Sequence, residues 1–186
     1  MHRIAVFIDG AYLDKVLEPM RHGRKIGYYH LVTNIVRQAG GDREIIRVYY
    51  YHCLPYQSNP PTLEQSQRIG HAQSFFRALQ RTPRFEVRQG RLEYRGDDST
   101  GKPIYEQKRV DLLLGIDLTL HAAKGNVDEM FIIAGDSDFI PAICAAKSEG
   151  IVTYLVHRPH PHDDLLDEVD ERIEITQSLV DSSTLP

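Results

Sequence analysis

Five segments of the chain carry the hydrophobic pattern of β-strands. Four are runs of apolar, β-branched or aromatic residues, and the third alternates apolar and charged residues with a break at Gly90. Such runs are too short for useful helices and are typical of strands buried in a parallel sheet under helices. The predicted strands are Arg3–Ile8, Glu44–Cys53, Phe85–Tyr94, Met130–Ala134 and Ile151–Val156. The polar turn after Tyr94 leads into residues 103–105, which predicts a hairpin excursion from the third strand.

Helical patterns fill the intervals between these strands. Residues 29–39 carry apolar side chains at helical spacing, and Thr62 with Gln65 forms a capping box at the start of a long amphipathic helix. Another helix, apolar nearly all round, runs to Ala123, and residues 139–148 form one more. The alternation predicts an α/β fold: a three-layer α/β/α sandwich with a mainly parallel five-stranded sheet.

Composition limits the classes of protein to which the chain can belong. Its 186 residues are 41% hydrophobic, enough for one domain with a sizeable core, which we expect over residues 1–180 with a frayed tail at 181–186. No stretch reaches the roughly 18 to 20 apolar residues of a membrane span. The N-terminus lacks a small-residue cleavage site, and Cys53 and Cys144 make no disulfide framework. We therefore expect a cytoplasmic protein without a membrane partner.

Charge is distributed unevenly along the chain. Residues 1–110 carry 18 lysines and arginines against 11 acids, whereas residues 111–186 carry 4 against 15. This asymmetry fits a basic surface that faces a substrate around an acidic metal site, and it fits an ordinary solvated surface equally well.

The most informative motif follows the run Met130–Ala134, which ends abruptly in Gly135, Asp136, Ser137 and Asp138. Two carboxylates at a corner between a strand and a helix can converge on one point, where their repulsion requires a cation or a proton. Oxygen ligands of this kind suit Mg²⁺ or Mn²⁺. The alternative is that both aspartates only cap the following helix, since Asp is a favoured N-cap residue.

Three further aspartates extend this pattern. The first predicted strand also ends in a carboxylate, Asp9, so neighbouring strands would bring it to the same edge of the sheet as Asp136. Asp111 lies in the first turn of the buried helix, where the helix dipole favours an acid. Asp117 is six residues further on, about 120° round the axis, and cannot share the position of Asp111. We expect Asp117 to be a deeper, structural acid that is hydrogen-bonded near the site.

The segment His157–Asp164 contains three histidines and two acids, which suggests metal binding. Its two prolines keep the chain extended, and no helix brings the histidines together. A polar loop near the strand ends is the favoured interpretation.

Three motifs in order, FIDGAYL, KRVDLLLGIDL and IIAGDSDFIPAI, resemble the NYN domain of the PIN-like nuclease superfamily, its LabA-like branch in particular. The resemblance covers about Arg3 to Val156. It implies a PIN-like sheet in which the strands that end in Asp9 and Asp136 are neighbours. The chain departs from many relatives at two positions: Tyr12 stands where they have Asn, and Ala134 where they have Ser.

The resemblance also implies an activity and its residues. It implies a ribonuclease in which Asp9, Asp111, Asp136 and Asp138 are catalytic and bind Mg²⁺ or Mn²⁺, which would assist hydrolysis of an RNA phosphodiester bond. Four residues are weaker candidates for contact with the RNA substrate: Tyr12, Lys108, Arg109 and Ser137.

Two other functions compete with this hypothesis. A non-catalytic regulatory or nucleic-acid-binding module could use the same fold, with a homo-oligomer or a regulatory protein as its partner. A haloacid-dehalogenase-type phosphatase also uses an aspartate at a strand end. That class requires a second acid two residues later, and here Asp9 is followed by Gly10 and Ala11.

Overall fold

The computed structural model describes residues 1–159 and 163–185. The strands are β1 His2–Asp9, β2 Arg43–Cys53, β3 Phe85–Asp97, β4 Pro103–Lys108, β5 Glu129–Ile133, β6 Val152–His157 and β7 Glu171–Glu174. The helices are α1 Gly10–Met20, α2 Tyr28–Gln38, α3 Leu63–Arg81, α4 Val110–Ala123, α5 Ile140–Ser148, α6 Asp163–Glu168 and α7 Gln177–Asp181, and a 3-10 turn, Ser137–Phe139, precedes α5.

All seven strands form one sheet in the order β4-β3-β2-β1-β5-β6-β7. Every neighbouring pair is parallel except β3 and β4, which form an antiparallel hairpin. β1 lies at the centre, where Ile8 pairs with Ile133 of β5 and Asp9 pairs with Tyr51 of β2. The carboxyl ends of β1 and β5 are therefore adjacent, as the sequence predicted for the strands before Asp9 and Asp136.

A hydrophobic core lies on each face of the sheet. Side chains alternate along a strand, so that Ile4, Val6 and Ile8 contribute to one core and Ala5 and Phe7 to the other. The first core is closed by α1, α2, α3 and α7, and the second by α4, α5 and α6. The α/β class is confirmed, with helices on both faces.

The predicted number of strands was wrong, because the sheet has seven strands and not five. β4 is the returning arm of the predicted hairpin, and it extends the sheet at one edge. β7 extends the opposite edge by pairing with β6. The sequence predicted no strand here, but Ile173 and Ile175 are buried while Arg172 and Glu174 are exposed. This alternation belongs to a strand.

The C-terminal segment expected to fray is packed as far as Leu185. Ser183 is fully buried, and its carbonyl oxygen accepts a hydrogen bond from the N–H of Gly27 at 2.8 Å. The N–H of Leu185 donates to the carbonyl oxygen of Lys25, also at 2.8 Å. The expectation for residues 181–186 was therefore wrong over 181–185, because the backbone groups of this segment have partners.

Within the described residues, no helix combines the length and the apolar character needed to cross a bilayer.

Candidate active site at the carboxyl edge of the sheet

The site is organised by the ends of the two central strands. β1 ends at Asp9, whose Oδ1 accepts a hydrogen bond from the N–H of Tyr12 at 3.1 Å and so caps α1. β5 continues through Ala134 and Gly135 to Asp136, whose Oδ1 accepts from the N–H of Asp138 at 3.0 Å and caps the 3-10 turn. The capping interpretation holds for Asp136. It uses one carboxylate oxygen and leaves the side chain at the edge of the sheet.

Asp111 reaches the same edge from the first turn of α4. Partial desolvation raises the pKa of its carboxyl, and the negative charges of Asp9, Asp136 and Asp138 raise it further. The pKa of Asp9 is also raised: burial dominates, and the N–H groups of Tyr12 and Ala11 oppose it. The acids therefore lie near enough to repel one another, with Asp111 at the junction.

A turn of unusual conformation delivers Asp111 to this position. Arg109 precedes α4 with a φ of 76°, in the left-handed region that residues with a β-carbon seldom occupy. Beside it, a β-carbon on Gly90 would lie 2.5 Å from Val110 and 2.6 Å from the carbonyl oxygen of Lys108. Glycine at position 90 thus permits the close approach of β3 that starts α4 at this edge.

Asp117 is largely buried, six residues further along α4 than Asp111. Its Oδ2 accepts a hydrogen bond from the hydroxyl of Tyr51 at 2.8 Å and lies 3.3 Å from Nε of Arg88. Burial and the charge of Asp117 raise the pKa of Tyr51, which therefore stays a donor. Because Tyr51 pairs with Asp9 across the strands, Asp117 ties α4 to β2 next to the site.

Tyr12 builds one wall of the site. Its ring packs over Gly135, where a β-carbon would lie 2.3 Å from the ring. The hydroxyl of Tyr12 accepts a hydrogen bond from the N–H of Arg158 at 2.9 Å. Gly135 has no positive φ, so glycine is needed here for space and not for backbone conformation.

A cleft of about 630 Å³ opens between these strand ends and the β3–β4 hairpin. Its lining includes Asp9, Tyr12, Asp136 and Ser137, but neither Asp111 nor Asp138. The lining residues that were missed as site residues include several that only the folded chain brings there: Lys15, Leu92, Tyr105, Gln107 and Asp164. Asp164 was noted in the sequence only as part of the histidine-rich segment.

The weaker substrate candidates fall into two groups. Ser137 lines the cleft, and Arg109 is exposed at the start of α4. Lys108 is held in an ion pair by Glu106 of the same strand, which also pairs with Arg95. Its charge is therefore largely compensated.

Two other regions of the molecule have features of a site: a larger groove and the histidine-rich segment. A larger groove of about 1020 Å³ between α1, α2 and α3 contains none of the four predicted acids. In the histidine-rich segment, His157 is buried and its Nδ1 lies 2.7 Å from the carbonyl oxygen of Arg158. His160 and His162 lie outside the described residues.

Across residues 1–159 and 163–185, no three His, Cys, Asp or Glu side chains stand close enough to form a ready-made metal site. The donor chemistry at the edge nevertheless fits a divalent cation. Asp9, Asp111, Asp136 and Asp138 offer hard oxygen ligands, and the raised pKa values of Asp9 and Asp111 record a cost that a cation would relieve.

Comparison with protein families identifies the family of the chain. The family model described as NYN domain matches residues 3–176. The chain belongs to the NYN family. This is a family of the PIN-like nuclease type, so the resemblance seen in the three motifs is confirmed, while assignment to the LabA-like branch stays a prediction. No curated protein matches the chain.

The contact between Tyr12 and Gly135 gives a first test. We expect Gly135→Ala to destabilise the fold by about 1–3 kcal/mol, because the new methyl group must displace an aromatic ring that is hydrogen-bonded at its far end. Gly115→Ala is the matched control: the nearest atom to its β-carbon would be 3.9 Å away, and helix propensity predicts a gain of about 0.5–1 kcal/mol. Thermal and urea denaturation measure both.

A second substitution checks the cause. Tyr12→Ala removes the ring, so Gly135→Ala should cost much less in the Tyr12→Ala background than in the wild type. An equal cost in the two backgrounds would show that the ring contact does not explain the need for glycine.

Charge repulsion at Asp111 gives a second test. Its raised pKa means that ionisation of Asp111 destabilises the folded state. This loss of folding stability is complete at a pH above the pKa in the folded state and vanishes at a pH below the ordinary pKa of 3.8. In metal-free buffer at pH 7 we expect Asp111→Asn to raise the melting temperature slightly, with a gain that shrinks as the pH approaches 4.

Asp128→Asn is the control of opposite sign. Hydrogen bonds from the side chain and the backbone N–H of Arg3 hold the pKa of Asp128 below its ordinary value, so its loss should lower the melting temperature at pH 7. If the melting temperatures of the two variants change with pH in the same way, the claim that neighbouring acids repel Asp111 is wrong.

Proposed function

We propose that this NYN protein is a metal-dependent ribonuclease that hydrolyses RNA phosphodiester bonds at the cleft beside Asp9 and Asp136. The observation that carries the proposal is the electrostatic coupling of Asp111 to Asp9, Asp136 and Asp138 at the carboxyl edge of the sheet. Acids that contribute only to stability are usually paired with cations, whereas the pKa of Asp111 is raised by partial burial and by the charges of the other three acids. Perturbed acids in a cleft are typical of functional sites.

The four aspartates would hold Mg²⁺ or Mn²⁺ as oxygen ligands. When bound, the ion supplies positive charge against the scissile phosphate and lowers the pKa of a water molecule. The N-termini of α1 and α4 point toward the same edge, and their dipoles favour the negative charges collected there.

Other residues of the chain would position the RNA. Lys15 lines the cleft and lowers the pKa of Asp9 through its charge, so it is placed to balance a phosphate that approaches the acids. Ser137 and Arg109 are the remaining candidates for phosphate contact. Tyr12 is proposed to act by shaping the wall of the cleft, since its hydroxyl is already engaged by Arg158.

A non-catalytic binding module is the second candidate. One observation favours it: the part of the chain that the structure describes holds no preformed group of three metal-ligating side chains. A phosphatase of the haloacid-dehalogenase type is disfavoured because Gly10 and Ala11 supply no second acid after Asp9.

The deciding experiment is cleavage of a labelled single-stranded RNA by the wild type and Asp136→Asn in Mg²⁺, in Mn²⁺ and in EDTA. Asn keeps the oxygen that caps the 3-10 turn but removes the charge, so we expect folding to survive and the rate to fall on the order of 100-fold. EDTA should abolish cleavage by the wild type.

Asp42→Asn is the matched control. Asp42 is an exposed acid just before β2, at the amino ends of the strands and away from the cleft at their carboxyl ends. The variant should cleave like the wild type. RNA that is bound but not cut by the wild type in either metal would favour the binding module and end the ribonuclease proposal.

A further inference from the structure

Three tyrosines form a cluster on the β3–β4 hairpin. Tyr94 of β3 and Tyr105 of β4 are opposite each other in the antiparallel register, and Tyr56 reaches them from the segment after β2. The ring centroids are 5.3 Å apart for Tyr56 and Tyr105, 5.7 Å for Tyr56 and Tyr94, and 6.0 Å for Tyr94 and Tyr105. We call these three residues the tyrosine platform.

The platform is open to solvent, unlike the tyrosines of the central strands. Tyr94 is 44% exposed and Tyr105 is 42% exposed, whereas Tyr50 and Tyr51 are fully buried. The hydroxyl of Tyr94 donates to Oδ1 of Asp97 at 3.0 Å, which restrains its ring. Cross-strand contact between aromatic rings stabilises a hairpin, but that role does not require their faces to be exposed.

The platform is continuous with the cleft through Tyr105. This residue lines the cleft together with Asp9 and Asp136, and Leu92 and Gln107 of the same hairpin complete that wall. A chain that crosses the cleft beside the aspartates therefore meets an aromatic surface on the hairpin side.

The charges of the hairpin indicate which part of a nucleic acid it would contact. Residues 91–108 contain four lysines and arginines and four acids. Arg95 and Lys108 both pair with Glu106, and Arg91 lies 3.8 Å from Glu93. Because the hairpin carries no net charge, it attracts phosphates weakly and offers mainly its rings.

We infer that the tyrosine platform is a base-binding subsite that stacks unpaired bases of the RNA strand next to the cleft, so that the enzyme selects single-stranded RNA. The inference rests on the proposed function. Aromatic rings bind any base through its π-face, and a duplex hides those faces within its own stack. The subsite would therefore recognise single-strandedness and not sequence, while the aspartates act on the backbone.

The test measures binding separately from cleavage. Fluorescence anisotropy in EDTA gives the Kd of the full chain for a labelled 12-nucleotide RNA, for the same strand with abasic central nucleotides, and for its duplex. We expect the wild type to bind the abasic strand and the duplex about tenfold or more weakly than the intact single strand, because each lost stacking interaction is worth about that factor.

Variants locate the effect on the platform. Tyr94→Ala and Tyr105→Ala should each weaken binding of the intact strand about tenfold and leave the abasic strand unaffected. Tyr94→Phe and Tyr105→Phe keep the rings and should bind like the wild type. Tyr29→Ala is the matched control, since Tyr29 is 51% exposed on α2, away from the cleft lining.

Two results would overturn the inference. The first is equal affinity of the wild type for intact and abasic strands, which needs no variant to fold. The second is unchanged binding in Tyr94→Ala and Tyr105→Ala that melt like the wild type. A cleavage assay distinguishes failure of this inference from failure of the proposed function. If the wild type binds the intact strand more tightly than the abasic strand but cleaves neither, only the nuclease proposal is wrong. If the wild type cleaves RNA but binds the two strands equally, only the inferred subsite is wrong.

Discussion

Repulsion among carboxylates is the constraint around which this structure is arranged. Three separate elements, β1, the corner after β5 and the start of α4, bring acids to one edge of the sheet. Partial desolvation and the charges of the other acids together raise the pKa of Asp111. A protein gains no stability from such an arrangement in the absence of a counter-charge. In the proposed function, a divalent cation supplies this counter-charge, since oxygen donors favour such an ion.

The surrounding fold keeps these acids in place without neutralising them. Asp9 and Asp136 each cap a helical turn through one oxygen, which fixes the direction of the side chain. Tyr12 fills the space above Gly135 and joins α1 to the segment after β6. Asp117 binds Tyr51 beside the site, so that α4 is anchored one and a half turns below Asp111. Asp9 and Asp136 therefore act as caps as well as being proposed metal ligands, whereas Asp117 contributes only to holding α4 in place.

The central part of the fold and of the site was predictable because its signals are local. Met130–Ala134 is an uninterrupted apolar run that ends at Gly135, and the first strand has the same form before Asp9. The edge of the sheet was not predictable. β7 has four residues, of which only Ile173 is buried, and its pairing with β6 is what makes it a strand. The alternation of buried Ile173 and Ile175 with exposed neighbours is too short to predict a strand from the sequence alone.

The other half of the cleft escaped prediction for a related reason. Tyr105 appeared in the sequence as one more strand residue, and its place beside Asp9 depends on how β4 returns along β3. Gly135 was predicted as part of the corner, but the need for glycine there was not: its backbone is ordinary, and the ring of Tyr12 leaves no room for a β-carbon. Contacts between distant segments set these features, and no local pattern encodes them.

Direct measurement of Mn²⁺ binding tests the central claim most closely. Electron paramagnetic resonance of free Mn²⁺, titrated with the wild type, Asp9→Asn, Asp111→Asn and the control Asp42→Asn, reports affinity without RNA or turnover. We expect the wild type and Asp42→Asn to bind Mn²⁺ with the same affinity. Asp9→Asn and Asp111→Asn should each bind Mn²⁺ at least tenfold more weakly, because each substitution removes a charged oxygen ligand. Affinity that is the same in all four proteins would contradict the claim that these carboxylates are gathered to hold a metal ion.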